Sequence, residues 1–349
     1  MIRDRQPNVF AATAYNSEHL PVLTEDDIPE RKKELLGKPL PFGHTDINTV
    51  PYYIYDTENP ASINETESKS DEELIENSEK SHIKIDMKWD HRCIRYDSIS
   101  SWSQALVMLH MLSKYLTPFM FGLMLILEIV INLLTKGILF TQRSFELSIM
   151  LAAIPFSAYL LSWFIMQLPT HWWLRNSKGA EWELNRETGM VKVFDYKTEE
   201  YYETKKPSVF ERPFYEFEPV IFKVPNRHGG LEECLVLRHR KKGYAVNFGC
   251  FTTSLREPEW VKFWHYIQNY MDISKPLTDT PQLESSRQYD PTTIAYDAKT
   301  GRNPRYWRDM SEEEYKRIKD KANAPGYIIA DAYPCIIKER AKQGSLATA

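Results

Sequence analysis

One carboxylate stands inside an apolar stretch of this sequence that is long enough to cross a bilayer. Glu128 is followed one helical turn later by Asn132, on the same face of a helix. A charge at mid-bilayer costs about 2.5–3.5 kcal/mol, so Glu128 is expected to face protein. We expect it to be protonated and to donate a hydrogen bond to the carbonyl of Leu151, which Pro155 leaves free, or to Ser157. A structural role between helices is favoured over a proton or ion pathway.

No other arrangement of residues predicts catalysis or cofactor binding. The GxSxG, HExxH, P-loop and GxGxxG motifs are missing, and the nine histidines are scattered. The four cysteines are too widely spaced for a CxxC site, and we expect free thiols in a reducing compartment. Distant Ser, His and Asp residues can still converge in a fold. We predict no enzyme, and therefore no catalytic residues, no metal and no cofactor.

Two apolar stretches, residues 116–140 and 145–168, must position Glu128. Each is long enough for a helix across a hydrocarbon core of about 30 Å, which takes about 20 residues. The alternative is a buried hairpin in a soluble domain, which would need protein on every side. The short connection predicts antiparallel neighbours. Aromatic residues that would mark the membrane interface are Trp102, Tyr115, Trp172 and Trp173.

Basic residues near the ends of these stretches indicate their orientation. The connecting loop carries Lys136 and Arg143, whereas the outer flanks carry four basic residues. This bias favours cytoplasmic termini and an external loop. The first residues, MIRDRQPNVF, include no apolar signal-peptide segment. We therefore expect two spans, with both termini in the cytoplasm.

The composition is that of a globular protein: 349 residues, 42% hydrophobic and 26% charged, with a net charge of −4. A nucleic-acid binder would show a basic excess, so nucleic acid is not an expected partner. The acidity is concentrated in residues 1–100, where 12 Lys and Arg face 20 Asp and Glu. Residues 1–98 are predicted as an acidic, largely extended region, with a flexible linker at 59–81 and a strand at 83–89.

After the juxtamembrane and hairpin segment of residues 99–175, the pattern changes to strands and turns. Alternation and the NRETG, NRHGG and RKKG turn signals predict antiparallel strands at 181–184, 190–195, 219–224, 232–238 and 244–251. Ser254 and Glu257 form a capping box for a helix whose aromatic stripe would cover the sheet.

The predicted fold class is therefore α+β: a two-helix transmembrane hairpin plus a cytoplasmic antiparallel β-rich domain, residues 176–275, closed by an amphipathic helix. This architecture is similar to a pleckstrin-homology roll, although fold does not fix function. The basic cluster at residues 238–242 is the one candidate for lipid headgroups in such a roll. A solvated hairpin tip explains the same cluster equally well.

The tail, residues 276–349, is predicted to be extended except for a short helix at 312–321, which a capping box of Ser311 and Glu314 begins. Cations and aromatics alternate before this helix, a composition enriched at interface hot spots. The candidate protein interface is Arg302, Arg305, Tyr306, Trp307 and Arg308. The alternative, which we favour, is that this segment packs on the chain's own sheet.

Two segments carry a resemblance to known proteins. WELNRETGMVKVFD at 182–195 and DPTT…D…TGRNPRYWRDM at 290–310, with two adjacent spans and a Trp-rich helix, resemble an uncharacterised bacterial family. Its members are found among type VI secretion genes and their toxin cargo. The resemblance covers residues 100–320 and does not include the acidic N-terminal region. It implies no catalytic residues.

This resemblance implies a non-enzymatic protein of the bacterial inner membrane that binds another protein. As an immunity protein, it would neutralise a type VI secretion toxin. The alternatives are a membrane anchor or loading accessory of the secretion machinery, and a lipid-active membrane effector. The expected partners are a toxin or secretion component, membrane lipid and, through the hairpin, a second copy of the chain in a homo-oligomer.

Overall fold

The computed structural model describes residues 6–19, 37–40, 42, 50–51, 53–57, 59–68, 86–98, 100–136, 142–175, 177–225, 231–250 and 257–323. These residues form two compact units. Asp97–Gly179 form a helical hairpin unit, and the strands with the remaining helices form a sheet unit. The fold is thus mixed, with antiparallel sheets and two long apolar helices, as the sequence predicts.

The helices, in chain order, are α1 (Ile54–Thr57), α2 (Pro60–Ser68), α3 (Ser101–Lys136), α4 (Gln142–Gln167), α5 (Thr170–Trp173), α6 (Glu199–Thr204), α7 (Glu257–Met271), α8 (Glu284–Arg287), α9 (Pro291–Thr300) and α10 (Glu312–Asn323). The strands are β1 (Gly37–Pro39), β2 (Lys88–Trp89), β3 (Cys93–Tyr96), β4 (Trp182–Asn185), β5 (Met190–Asp195), β6 (Ser208–Pro213), β7 (Phe217–Pro225), β8 (Leu231–His239) and β9 (Ala245–Asn247).

Two antiparallel sheets hold these strands, in the orders β1-β7-β8-β9 and β2-β3-β4-β5-β6. The predicted strand at 190–195 is confirmed, and those at 181–184, 219–224 and 232–238 are confirmed with ends shifted by one or two residues. The strand β6, which ends at Pro213, was not predicted from the sequence. Proline is tolerated there because β6 is an edge strand and needs no full hydrogen-bond ladder.

Two strand predictions need correction. The strand expected at 244–251 ends at Asn247, because the side-chain oxygen of Asn247 accepts a hydrogen bond from the Gly249 amide at 2.8 Å and turns the chain. The strand expected at 83–89 is reduced to β2, and residues 83–85 lie outside the described part of the chain.

The hairpin unit is the chain connection between two neighbouring strands of one sheet. β3 pairs with β4 in antiparallel register, from Cys93↔Asn185 to Tyr96↔Trp182. The membrane segment was predicted to precede the whole β-rich domain. The strand β3 belongs to the same sheet as β4 but comes before the hairpin in the chain, so it lies outside the predicted domain. The hairpin is therefore an insertion into the sheet unit.

The helix α7 is the centre of the sheet unit. Residues Trp260–Met271 are all buried, including the polar Lys262, His265 and Asn269. The expectation of one apolar stripe against a sheet is thus too simple, since the polar side is covered as well. The buried apolar residues that share a core with α7 come from before and after it in the chain and include Tyr15, Phe42, Ile54, Ile63, Leu277, Leu283, Trp307 and Tyr315.

The acidic N-terminal region therefore contributes to the core where it is described. Phe42 is 1% exposed, and its ring centroid lies 4.9 Å from that of Trp264. Part of the predicted flexible linker is the helix α2, where Asn59 Oδ1 accepts from the Ser62 amide and Ile63 is 1% exposed. Sparse apolar residues anchor this polar segment, and residues 69–85 lie outside the described range.

The described part of the tail holds two α-helices, α8 and α9, that were not predicted from the sequence. The helix α9 begins at an Asp290 cap, with Pro291 in its first turn, and ends at Gly301, whose φ of 66° suits glycine. The predicted helix at 312–321 is confirmed as α10, and Ser311 Oγ accepts from the Glu314 amide at 3.2 Å. The Ser254 capping box lies outside the described residues.

Candidate functional site

The hairpin unit has reversed polarity: it exposes apolar side chains and buries polar ones, which is the opposite of a soluble protein. Both α3 and α4 are long and apolar enough to cross a membrane. In their most apolar stretches only 6% and 17% of residues are buried. Large apolar side chains point outward: Phe119 is 61% exposed, Ile154 69% and Leu134 80%. A soluble hairpin would bury such side chains, so this outer surface suits lipid.

Small and polar residues lie on the inner face instead. Among the described residues of this face, five polar ones are at most 4% exposed, and we call them the polar seam: Ser103, Ser113, Asn132, Ser148 and Ser162. Beside them, His110 Nδ1 lies 3.2 Å from Ser162 Oγ, and the His110 and Tyr159 rings are 5.0 Å apart. Membrane helices associate through such small and hydrogen-bonding residues.

The predicted intramembrane polar residues separate into two groups. Asn132 belongs to the polar seam, and Glu128, one turn earlier, is half-buried. Ser157 is exposed, and its hydroxyl donates to the carbonyl of Ile154 in its own helix at 2.8 Å. The pairing expected between Glu128 and Ser157 is therefore wrong.

The register of the two helices explains this correction. The helix α3 ends at Lys136, four residues before the predicted end of the first span, and α4 begins at Gln142. His110 of α3 lies beside Ser162 of α4, so Glu128, 18 residues further along α3, is level with about residue 144 of α4 and far from Ser157 in this antiparallel pair. Ser148 is therefore the polar-seam residue of α4 nearest to that level.

The predicted interface aromatics do not lie at one level. Trp102 and Tyr115 are 53% and 64% exposed, but 13 residues of continuous helix, about 20 Å, separate them. Trp172 is 62% exposed, and Trp173 is half-buried. The 36 residues of α3 span about 54 Å, more than a core of about 30 Å, so Trp102 and Tyr115 cannot mark the same boundary.

The two ends of the hairpin are joined by hydrogen bonds near Trp102. Ser103 Oγ donates to the Trp173 carbonyl and accepts from the Arg175 amide, at 2.9 and 2.8 Å. The guanidinium of Arg175 lies 5.9 Å from the Trp102 ring. These contacts hold the residues that enter α3 beside those that leave α5.

The polar seam gives a test of side-chain orientation. We expect Ser162→Leu to destabilise the hairpin by about 1–3 kcal/mol, because a larger side chain must fit where Ser162 is 0% exposed. Ser157→Leu is the matched control on the same helix and should change stability by less than about 0.5 kcal/mol. Unfolding of the full chain in detergent micelles measures both. Equal effects of the two variants would contradict the assignment of the inner face.

The predicted protein interface is largely used within the chain. Trp307 is 2% exposed, and its indole N–H donates to Asp279 at 2.7 Å. Arg302 donates to both oxygens of the same carboxylate at 2.8 Å. Both residues are therefore unavailable to a partner, because they hold the tail to its own core. The favoured alternative, that this segment packs on its own chain, describes these two residues.

The other three members of the predicted interface differ in exposure. The side chain of Arg308 is 14% exposed and lies 3.9 Å from Glu284. Tyr306 is 37% exposed, and the guanidinium of Arg302 lies 5.4 Å from its ring. Arg305 is exposed and pairs with Asp309 at 3.0 Å. Arg305 and Tyr306 are thus the two that remain open to a partner.

A buried ion pair joins the two segments that carry the family resemblance. Arg186 and Asp290 are both 0% exposed, and Arg186 Nε donates to Asp290 Oδ1 at 2.9 Å. The remaining N–H groups of Arg186 donate to Asp290 Oδ2 and to four carbonyls at or after the end of α7, those of Asn269, Tyr270, Asp272 and Lys275. All five guanidinium donors are therefore satisfied.

Asp290 serves a second purpose as the cap of α9. Its carboxylate accepts from the amide and hydroxyl of Thr293. Burial by itself raises the pKa of Asp290, but Arg186 and Thr293 outweigh it and bring the pKa below its ordinary value. This ion pair was not predicted from the sequence, although an Asp-Pro step is a recognisable helix start.

Low pH should weaken the ion pairs that Asp279 and Asp290 form with arginines. Burial raises the pKa of Asp279, but Arg302 lowers it further, so the net pKa lies below its ordinary 3.8. A lowered folded pKa gives stability that is present above pH 3.8 and is lost as the pH falls through the folded pKa. Glu284 acts oppositely, since burial raises its pKa. We expect the free energy of unfolding to fall below pH 4 as Asp279 and Asp290 bind protons, with the share of Asp279 reduced by solvent because its side chain is 42% exposed.

Denaturant titrations between pH 2.5 and 7 measure this loss. Asp279→Asn removes one of the titrating groups, and the slope of stability against pH should become shallower in that variant. An unchanged slope would show that protonation of Asp279 does not contribute to the loss of stability at low pH.

The helix α9 exposes its apolar residues rather than burying them. It is attached through polar contacts, since Arg287 Nε donates to Asp297 and the Thr292 hydroxyl donates to the Ile273 carbonyl. Ile294 and Tyr296 are 47% and 38% exposed. We call Ile294, Ala295, Tyr296 and Ala298 the α9 surface. The α9 surface was not predicted from the sequence, because the helix α9 itself was not predicted.

Two observations on the described residues concern metal binding and thiol reactivity. In these residues, no group of three or more His, Cys, Asp or Glu side chains is placed to hold a metal ion. Cys93 and Cys234 are free and buried, and burial raises the pKa of Cys93 to about 12, which leaves the thiol unreactive.

Searches of protein-family models, curated proteins and solved structures found no match to this chain.

Proposed function

We propose that this chain is a two-span protein of the bacterial inner membrane, with cytoplasmic termini, that acts by binding another protein and not by catalysis. The observation that carries the membrane part is the reversed polarity of the hairpin, with Ile154 exposed and Ser162 buried. Lipid is the solvent that such a surface suits, and the basic bias outside the hairpin supports cytoplasmic termini.

The protein-binding part rests on the sheet unit. The α9 surface presents apolar side chains on a helix that Asp290 and Arg287 fix to the core. Rigid, exposed apolar and aromatic residues are the usual anchors of protein interfaces. Arg305 and Tyr306 follow α9 in the chain and are exposed as well. A pleckstrin-homology-like roll is part of this proposal, supported by two antiparallel sheets and one helix that is buried from Trp260 to Met271.

The resemblance of residues 182–195 and 290–310 makes a type VI secretion toxin the partner we propose, with this chain as its immunity protein. Deleting the gene should make cells sensitive to sister cells that deliver the neighbouring toxin. Loss of secretion instead would favour the anchor or loading accessory. Hydrolysis of lipid by the purified protein would overturn the proposal in favour of an effector.

Membrane integration is tested separately from partner binding. The full chain should stay with the bilayer after a carbonate wash, and a reporter at its carboxyl end should be active in the cytoplasm. Release of the chain into the supernatant would overturn the membrane part.

A matched pair of variants tests the α9 surface. Ile294 and Val209 are both 47% exposed, but Val209 lies on the edge strand β6. We expect Ile294→Asp to weaken capture of the toxin at least tenfold and Val209→Asp to leave capture unchanged. The same loss in both variants, or in neither, would exclude the α9 surface as the binding site.

A further inference from the structure

A basic turn connects β8 and β9 in the sheet unit. It consists of residues 240–243 and carries Arg240, Lys241 and Lys242, of which the two lysines are exposed. A Cβ added to Gly243 would meet nothing within 4 Å. The turn therefore extends into open space.

His239 fixes the backbone of this turn. Its Nδ1 accepts from the amides of Lys241 and Lys242 at 3.2 and 2.9 Å. Because Nδ1 accepts, the proton of the neutral ring belongs on Nε2, which lies 3.0 Å from a carboxylate oxygen of Glu216. The Arg240 amide also donates to the Glu216 carbonyl. The lysines are thus presented by a turn of fixed shape, although their side chains are in solvent.

A fourth cation lies next to the turn. Phe210 of β6 stacks on Tyr244 with ring centroids 4.1 Å apart, and Tyr244 directly follows the turn. The guanidinium of Arg212 lies 5.7 Å from the Phe210 ring, so Arg212 is on the same side of β6 as Tyr244. The intervening Glu211 points to the other face of the strand, where it lies 3.6 Å from Lys192.

We propose that Arg212, Arg240, Lys241 and Lys242 form a binding surface for the anionic headgroups of the bilayer that the hairpin crosses. This inference rests on the proposed membrane location. The turn belongs to a unit whose strands β3 and β4 continue directly into the hairpin, so the chain itself keeps the surface at a high effective concentration near lipid. Each Lys or Arg close to an anionic leaflet contributes about fivefold to binding. To bind this surface, an acidic protein would need a complementary shape, whereas an anionic leaflet can bind it through its density of negative charge alone.

Fluorescence of a probe on the turn tests the proposal in the full chain. Gly243→Cys provides the attachment point, in a background with Cys250→Ser and Cys335→Ser, because Cys93 and Cys234 are buried. The labelled protein is placed in nanodiscs of zwitterionic lipid alone or with a third of anionic lipid. We expect blue-shifted emission only with anionic lipid, and its loss in 0.5 M NaCl.

Charge removal gives the matched comparison. Arg212→Gln with Lys241→Gln and Lys242→Gln should lower the affinity for anionic lipid about 100-fold. The control removes three exposed lysines around α6, through Lys197→Gln, Lys205→Gln and Lys206→Gln, and should leave the emission shift in place.

The outcomes separate this proposal from the membrane proposal. A chain that does not integrate into nanodiscs overturns the proposed membrane location. A chain that integrates but shows the same emission in both lipids overturns the basic-turn proposal alone. A probe that responds to added polyglutamate but not to anionic lipid would assign the surface to an acidic protein, which also overturns the lipid proposal.

Discussion

Replacing Arg186 with alanine is expected to lower the free energy of unfolding of the sheet unit by about 3–5 kcal/mol. The substitution leaves the Asp290 carboxylate, which is 0% exposed, without its counter-charge. It also leaves the carbonyls of Tyr270, Asp272 and Lys275 without the donors that Arg186 supplies. Since domains are stable by only about 5–15 kcal/mol, such a loss can prevent folding at 37 °C.

Arg92→Ala is the matched control for this prediction. Arg92 is also an arginine of the sheet unit, but its side chain is 25% exposed and lies 3.7 Å from Glu187. A partly exposed ion pair contributes about 0–1 kcal/mol, so the control should cost no more than that. Urea titration of the full chain in micelles, followed by tryptophan fluorescence, compares the two. Arg186→Ala within 1 kcal/mol of Arg92→Ala would contradict the role given to the buried pair.

This pair also bears on what the resemblance means. Arg186 belongs to the segment at 182–195 and Asp290 begins the segment at 290–310, and the fold brings them together across 104 residues of sequence. Arg302 and Trp307, in the second segment, bind Asp279 of the same chain. Both segments therefore stabilise the chain's own fold. Residues that bind a partner are expected among the exposed residues of the sheet unit.

Local patterns in the sequence were sufficient for several elements. The strand at 190–195 has strong alternation and follows the NRETG turn, in which the Asn185 side chain accepts from the Thr188 amide and Gly189 has a φ of 70°. The two long helices follow from unbroken apolar length alone. Such features depend on neighbours in sequence, so they can be predicted without knowing the rest of the fold.

Features that depend on distant residues could not be predicted in this way. Phe42 and Ile63 are single apolar residues in polar surroundings, and only the core around α7 explains why they are buried. The segment from Arg302 to Arg308 has the composition of an interface, and composition does not distinguish a partner protein from the chain's own core. The structure places Trp307 inside and leaves Tyr306 at the surface.

The polar seam belongs to the same class. Hydropathy counts Ser148 and Ser162 as minor interruptions of an apolar stretch, but both are 0% exposed and lie where the two helices meet. Their spacing of 14 residues, close to four turns, would place them on one helical face. That signal, together with Ser103 and Ser113 on α3, was available in the sequence and indicates which side faces the partner helix.

Arginine in place of Ile154 should prevent membrane insertion of α4. Ile154 lies at the middle of this 26-residue helix and is 69% exposed. In lipid, a charge at the helix centre costs about 2.5–3.5 kcal/mol on insertion scales. In a soluble hairpin, an arginine at so exposed a position would change stability by less than about 0.5 kcal/mol. The expected cost of the arginine is therefore about 100-fold larger, expressed as an equilibrium constant, if Ile154 faces lipid than if it faces water.

Glycosylation mapping of the hairpin loop in microsomes measures that equilibrium, and Val209→Arg serves as the control because Val209 is exposed outside the hairpin. Loss of insertion in Ile154→Arg alone is the expected result. If Ile154→Arg inserts as well as the parent chain, the outward apolar surface is not in lipid. The reversed polarity of the hairpin would then need another apolar surface to cover it, since exposed side chains such as Phe119 and Leu134 are too many for a monomer in water.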